Sequence, residues 1–324
     1  RDVNIHGIAT RMNSVLGRNP VVLKELRGRM RGGRAFAILT VYLLLLGGAV
    51  SLAFLPLSSF SMVPGFDLTS RRLLGKSMFG IAVFVQLIII GFVAPGLTAG
   101  AITAEREHQT YDILRTTLLT ARQLVTGKLL AALSFLMLLL VAAFPIQSLA
   151  FLLGGVTAEE VVIAMLMLLT TAVAFSAIGI FLSSRLRRTL ISTVLAYSVS
   201  IFAVAGFPLL LLMLFSLLAP LTEYLLYGYG GATDMGPITG AGLIMLGWLL
   251  VSTNPISTAI ASEAILLQEQ SPWYFSISLP SSAQFPNPPD IPVISPWIGY
   301  VVGYLLLSLV LIRLSIRIVS RPER

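Results

Sequence analysis

The residue types that ordinarily carry covalent chemistry are scarce in this sequence and badly placed for it. The 14 Asp and Glu, and the two histidines His6 and His108, fall in polar stretches or at the ends of apolar runs. There is no Cys, so neither a thiolate metal site nor a disulfide framework can form. Ser70 to Ser77, SRRLLGKS, reproduces the end of a phosphate-cradling loop, but Ser70 stands where its first glycine belongs and no strand signal precedes it. Metal-assisted or paired-aspartate hydrolysis has no residues to use. No charge lies mid-run, where proton- and sodium-driven carriers place ionisable groups. The sequence therefore predicts no catalytic site, no metal site and no cofactor held by the chain itself. One stretch stands apart. Ala104 to Lys128, AEREHQTYDILRTTLLTARQLVTGK, holds a dense mixture of charges between two apolar runs. Its chemistry is recognition, by polar groups kept outside lipid and offered to a soluble partner.

The elements that must position this stretch are membrane helices. Apolar residues make up 56% of the 324 positions and charged ones 11%, far from the mixture of a soluble domain. A hydrocarbon core about 30 Å thick needs roughly 20 apolar residues per helix. Several runs reach that length unbroken, without the alternation of a barrel strand. The reading is an all-α integral membrane protein with six transmembrane helices, at about residues 35–57, 77–102, 129–153, 161–184, 189–219 and 297–312. A cytoplasmic segment, 1–34, precedes them, and an outer region, 220–296, separates the last two. The net charge of +8 is read as setting membrane orientation, with no nucleic-acid partner. With six crossings and the N-terminus inside, all but three of the 22 Lys and Arg are cytoplasmic, the exceptions being Arg71, Arg72 and Lys76. Both termini are then cytoplasmic, in a bacterial-type inner plasma membrane. Nothing before Ala35 has the apolar core of a cleavable signal peptide.

Local signals divide the chain further. Val22, Leu23, Leu26 and Met30 share about 100° of helical arc while Lys24, Glu25, Arg27, Arg29 and Arg31 cover the remainder, which predicts an interfacial amphipathic helix. Ser58 to Lys76, with Pro64-Gly65 as a turn signal, reads as an outer loop. Pro95-Gly96 and Gly206-Phe207-Pro208 predict kinks in the second and fifth spans. Thr120 and Gln123 have capping-box spacing, so a helix should start at Ala121 and run to about Leu153, about 50 Å long and projecting beyond the bilayer. Ile238 to Val251 is too short to cross and reads as re-entrant or interfacial. Trp273, Tyr274 and Trp297 suit an interface belt. Gln86, Tyr197, Ser198 and Phe202 are candidates for a translocation path, weighed against ordinary interhelical packing, which Gln86 and Gln147 would serve by hydrogen bonding. The FPNPPDIP run, Phe285 to Pro292, is a semi-rigid connector or a docking segment for an extracytoplasmic partner.

The order of these features resembles the ATP-binding-cassette exporter permeases of the second type. NPVVLKELRGRMR is similar to that family's elbow helix, here with Leu23, Lys24, Leu26, Arg27 and Met30. GAITAEREHQTYDILRTTLLTARQLVTGKLLA is similar to its ERE-x-x-T loop and the GK that follows, here Glu105, Arg106, Glu107, Thr110, Gly127 and Lys128. Gln109 and Leu119 stand where the family usually has glycine and proline. The resemblance implies a coupling helix between spans two and three, seated in a groove of a cytoplasmic P-loop ATPase through Glu105, Arg106, Glu107, Thr110, Tyr111, Leu114, Arg115 and Leu118. It also implies a dimer with a second permease copy, identical or paralogous, with substrate passing between the copies. A short re-entrant element precedes the last span in that family, and ATP and Mg2+ would be bound by the partner.

Two further readings belong to other classes. One is a non-transporting membrane anchor that passes ATPase motion to an extracytoplasmic partner. The other is a stand-alone carrier or channel, which the lack of mid-span charge disfavours. The absence of Cys makes the topology directly testable. On intact cells, a cysteine introduced as Asp290→Cys is expected to react with an impermeant maleimide, and one introduced as Gln109→Cys is not; the opposite pattern sinks the six-span topology.

Overall fold

The computed structural model describes residues 25, 28, 33–59, 68–109, 120–152, 154–210, 212–214, 216–217, 237–269, 272–277 and 291–321. In chain order these form α1 (Gly33–Ser59), α2 (Leu68–Thr98), the short α3 (Thr103–Glu107), α4 (Ala121–Leu152), α5 (Ala158–Arg185) and α6 (Thr189–Ile201). A π-helix (Phe202–Gly206) continues α6, followed by α7 (Pro237–Ser252), α8 (Pro255–Glu269), β1 (Tyr274–Ile277), β2 (Ile291–Ile294) and α9 (Pro296–Ser320). Among the described residues, six helical segments are long and apolar enough to cross a membrane: Ala35–Leu55, Arg72–Glu107, Ala121–Leu152, Ala158–Arg185, Thr189–Leu214 and Pro296–Ser320. The chain is a predominantly helical, multi-pass membrane protein. Helix is the outcome that lipid imposes, because each backbone amide and carbonyl must find its partner within the segment.

The helix ends follow recognisable signals. The capping box at the start of α4 is formed: the Gln123 N–H donates to Thr120 Oγ1 (3.3 Å), and the Thr120 N–H donates to Gln123 Oε1 (3.0 Å). Helix α5 carries Glu159 and Glu160 in its first turn and Arg185 in its last, matching the helix dipole at both ends. Helix α2 begins earlier than the predicted loop allows. It takes in Ser70 to Ser77, so the phosphate-loop look-alike is helical. Leu74, Met78 and Phe79 are buried there, and the exposed Arg72 keeps its charged head wet while the helix continues.

The chain divides into two compact units. The first comprises Arg1–Thr157, Leu168–Ser200 and Leu305–Arg324. In it α1, α2 and α4 pack on one another, burying Leu46, Leu87, Ile90, Leu136 and Leu139. A second cluster, Ile102, Leu124, Val125, Leu129, Ile180 and Val319, joins the ends of several helices. Helices α2 and α5 approach closely at Gly179, where a Cβ would stand 2.0 Å from Thr98 Oγ1.

The second unit comprises Ala158–Met167 and Ile201–Tyr304. Here the structure adds three details to the sequence reading. The apolar run at Ile238 to Val251 is one arm of a helical hairpin, α7 and α8, which turns at Thr253-Asn254. The end of the proline-rich run forms β2, antiparallel to β1 with Tyr274 opposite Ile294 and Ile277 opposite Ile291. Trp297 is buried in a cluster with Ile163, Met167 and Tyr300 and does not face an interface. Its indole N–H donates to the Pro272 carbonyl (2.7 Å), which lets a polar edge be buried without loss. Trp273 and Tyr274 are exposed, as a belt requires.

The contact at Gly179 yields a direct test. Gly179→Ala is expected to lower stability by about 1–3 kcal/mol, because the helices must separate to admit a methyl group. Gly303→Ala, inside α9 with nothing within 4 Å, serves as the control and should leave unfolding in detergent unchanged or shifted slightly upward, by the gain in helix propensity of about 0.5–1 kcal/mol.

Candidate coupling site at the ends of the spans

Helix α2 ends at Thr98, and the chain turns through 99–102 into α3, which carries Glu105, Arg106 and Glu107. A helix start leaves amides without intrahelical partners. Ser183 of α5 supplies one: its Oγ accepts from the N–H of Ile102 (2.8 Å) and of Thr103 (3.1 Å). Ser192 of α6 donates its hydroxyl to the Ala99 carbonyl (2.7 Å). These serines fix α3 against two helices before any charge is considered.

Each of the three charged side chains then engages a different helix, Glu105 a lysine two turns into α4, Arg106 the end of α5 and Glu107 the start of α6. Glu105 Oε1 accepts from Lys128 Nζ at 2.6 Å, and Glu25 Oε1 accepts from the same ammonium at 3.1 Å. The Lys128 side chain is 3% exposed, with Glu105 at 22% and Glu25 at 25%. An ammonium so far from water needs its counter-charges close, since burying it unpaired would cost several kcal/mol. Arg106 Nη1 donates to the carbonyls of Ser184 (3.1 Å) and Leu186 (2.9 Å), covering the last turn of α5 with positive charge. Glu107 does the reverse at the start of α6. Its Oε1 accepts from the Thr189 N–H (2.8 Å) and its Oε2 from the Thr189 hydroxyl (2.6 Å). The hydroxyl bond, then the amide bond, holds the Glu107 carboxyl below its ordinary value.

A family model described as ABC-2 family transporter protein matches residues 20–311, which is most of the chain. The chain belongs to this family. Among the curated proteins compared, none matches it.

For this ABC-2 family transporter, the structure brings some predicted site residues together and separates others. Glu105, Arg106 and Glu107 meet the chain's own helices. Thr110, Tyr111, Leu114, Arg115 and Leu118 lie outside the described residues, as do Leu23, Lys24, Leu26, Arg27 and Met30 of the predicted elbow helix. Gln86 is fully buried and accepts from Gln147 Nε2 (3.3 Å) between α2 and α4, the packing arrangement weighed against a path role. The Tyr197 ring lies 6.3 Å from that of Phe92. Ser198 is exposed and donates to the Val194 carbonyl (2.9 Å), and Phe202 is 52% exposed. The sequence did not point to Ser183, Thr189 or Ser192, whose partners lie 80 or more residues away. Hydroxyl residues near a span end were the available signal, and that signal is common to many helix ends.

The Glu107 shift sets a pH dependence. A carboxyl whose folded pKa is lowered adds stability that is fully present above its unfolded value of 4.5 and is lost as pH falls through the folded value. Thr189→Val removes the hydroxyl bond, so the variant is expected to unfold more readily than the parent at pH 7. That gap should close progressively below pH 4.5. A gap that stays constant through the acid range would show that the hydroxyl bond does not depend on the Glu107 charge.

Proposed function

We propose that this chain is the permease subunit of an ATP-driven exporter in an inner plasma membrane, with both termini cytoplasmic. It works as a dimer with a second permease copy, on cytoplasmic P-loop ATPase subunits that bind ATP and Mg2+. The observation that carries the reading is the arrangement of α3, whose three charged residues tie the 104–128 stretch to α4, α5 and α6 at once. A displacement applied to that stretch by a moving ATPase would be shared among those helices. In this reading Glu105, Arg106 and Glu107 transmit the displacement, and the polar and apolar residues between Thr110 and Leu118 meet the ATPase.

Purification of the full chain in mild detergent tests the reading. A P-loop ATPase is expected in stoichiometric amount, with ATP hydrolysis in the complex. Arg106→Ala leaves the carbonyls of Ser184 and Leu186 without their donor. It is expected to leave the ATPase bound while reducing ATP-driven transport at least tenfold, the effect of losing about 1.5–3 kcal/mol of charge-assisted hydrogen bonding in the transmitting arrangement. Full transport by this variant would remove the transmitting role. ATP turnover without any movement of substrate across reconstituted vesicles would favour the anchor reading over transport.

A further inference from the structure

The fifth span contains a break in its hydrogen bonding, and a residue of the outer hairpin fills it. At the end of the π-helix the Phe207 N–H donates to the Phe202 carbonyl, one residue farther back than an α-helix would use. That shift takes away the α-helical partner of the Ala203 carbonyl. The next residue, Pro208, has no N–H, so the Val204 carbonyl has no α-helical donor either. Two adjacent carbonyls are thus released inside a candidate span, Thr189–Leu214, where an unpaired backbone group costs several kcal/mol.

Asn254 supplies both missing donors. Its Nδ2 donates to the Ala203 carbonyl and, at 3.3 Å, to the Val204 carbonyl. Its Oδ1 accepts from the N–H groups of Ile256 (2.9 Å) and Ser257 (2.9 Å), so the same side chain is the N-cap of α8, with Pro255 at the first helical position. Asn254 is fully buried at the vertex of the hairpin. Aspartate would cap α8 as well as asparagine does. Among the side chains that cap well, asparagine alone combines that acceptor with two amide hydrogens.

We propose that Asn254 and Pro208 form a releasable latch holding the vertex of the α7–α8 hairpin to the fifth span, with Asn254 a positioning residue for the outer part of the transport path. The proposal rests on the permease reading for its function and on the hydrogen-bond geometry for its existence. Release follows from the bonding itself. If the π-helix regularises, the Phe207 N–H returns to the Ala203 carbonyl and Asn254 keeps only the Val204 carbonyl. The hairpin is therefore held by two bonds in the wide-turn state and by one in the regular state. Gly206 leaves room for this wide turn: a Cβ there would lie 2.8 Å from the Phe202 ring.

The latch can be read in the full-length chain without any partner. Ser252→Cys places a single thiol at a buried position whose hydroxyl makes no hydrogen bond, in a protein with no other cysteine. Asn254→Asp keeps the cap and replaces both donors by an acceptor facing two carbonyls. Labelling of the thiol by a small methanethiosulfonate is expected to be about tenfold faster in this variant, the shift produced by losing two ordinary hydrogen bonds. Asn254→Ser combined with Pro208→Ala keeps a hydroxyl cap on α8 and restores a backbone donor at 208 while removing the amide of the latch. It is expected to unfold near the parental temperature yet label as fast as Asn254→Asp. Parental labelling rates in both variants would overturn the latch and leave Asn254 as a helix cap only. The two readings fail separately, because the permease reading is decided by co-purification of an ATPase and the latch by labelling of the isolated chain.

Discussion

A backbone carbonyl or amide left without its regular partner is met by another protein group or by water, and within lipid only the first is at hand. The polar side chains of this chain are distributed according to that requirement. Ser183 meets the amides of Ile102 and Thr103, Arg106 the carbonyls of Ser184 and Leu186, and Glu107 the amide of Thr189. In the second unit Asn254 meets the carbonyls of Ala203 and Val204, and Trp248 donates its indole N–H to the Ile294 carbonyl. In each case a side chain from one element repairs a break in another. Tertiary order in such a chain is set less by apolar contact, which lipid rivals, than by where helices stop.

Charge obeys the same rule with a larger penalty for error. Lys128 sits one residue after Gly127, and its side chain is almost wholly excluded from solvent. Two carboxylates reach it, one from α3 and one from Glu25, in the segment ahead of the first span. A buried ion pair of this kind contributes little net stability compared with an apolar replacement, but it is costly to break from one side. That asymmetry suits a structural joint: the segment before α1, the α3 turn and the start of α4 are held to a common point that resists partial separation.

Much of this architecture was legible in the amino-acid order, and the reasons are physical. Span number follows from the length of apolar runs, because bilayer thickness fixes the required length. The start of α4 was legible because Thr120 and Gln123 satisfy each other locally. What escaped depended on distance along the chain or on averages. Glu107 and Thr189 are 82 residues apart, and no local pattern pairs them. Helix α8 was hidden because Ser, Thr and Glu dilute its hydropathy, although Thr258 and Ser262 are turned inward and buried. Trp297 was assigned to an interface belt from the average habit of tryptophan, while its N–H found a carbonyl at Pro272 and allowed burial. The kink expected at Gly206-Phe207-Pro208 proved to be a π-helix ending there. Proline and glycine announce a break in bonding, but they do not say how the backbone will close it or which distant side chain will serve.

The brevity of α3 explains why three adjacent residues can have three different partners. Consecutive positions on a helix are about 100° apart, so Glu105, Arg106 and Glu107 point in well-separated directions from one axis. In an extended loop, alternate residues would point the same way and neighbours opposite ways, giving two directions. A longer helix would carry α3 away from the helix ends it serves. A single turn and a half, set where α2 stops, places one carboxylate toward Lys128, a guanidinium toward the end of α5 and a second carboxylate toward the start of α6. The signs match as well, with positive charge at the carbonyl end of α5 and negative charge at the amide end of α6. Exchanging Arg106 with either neighbour would put like charge against a helix terminus or against Lys128. The order acid, base, acid is therefore what this junction of three helices requires of the chain, independent of whatever docks on the residues that follow.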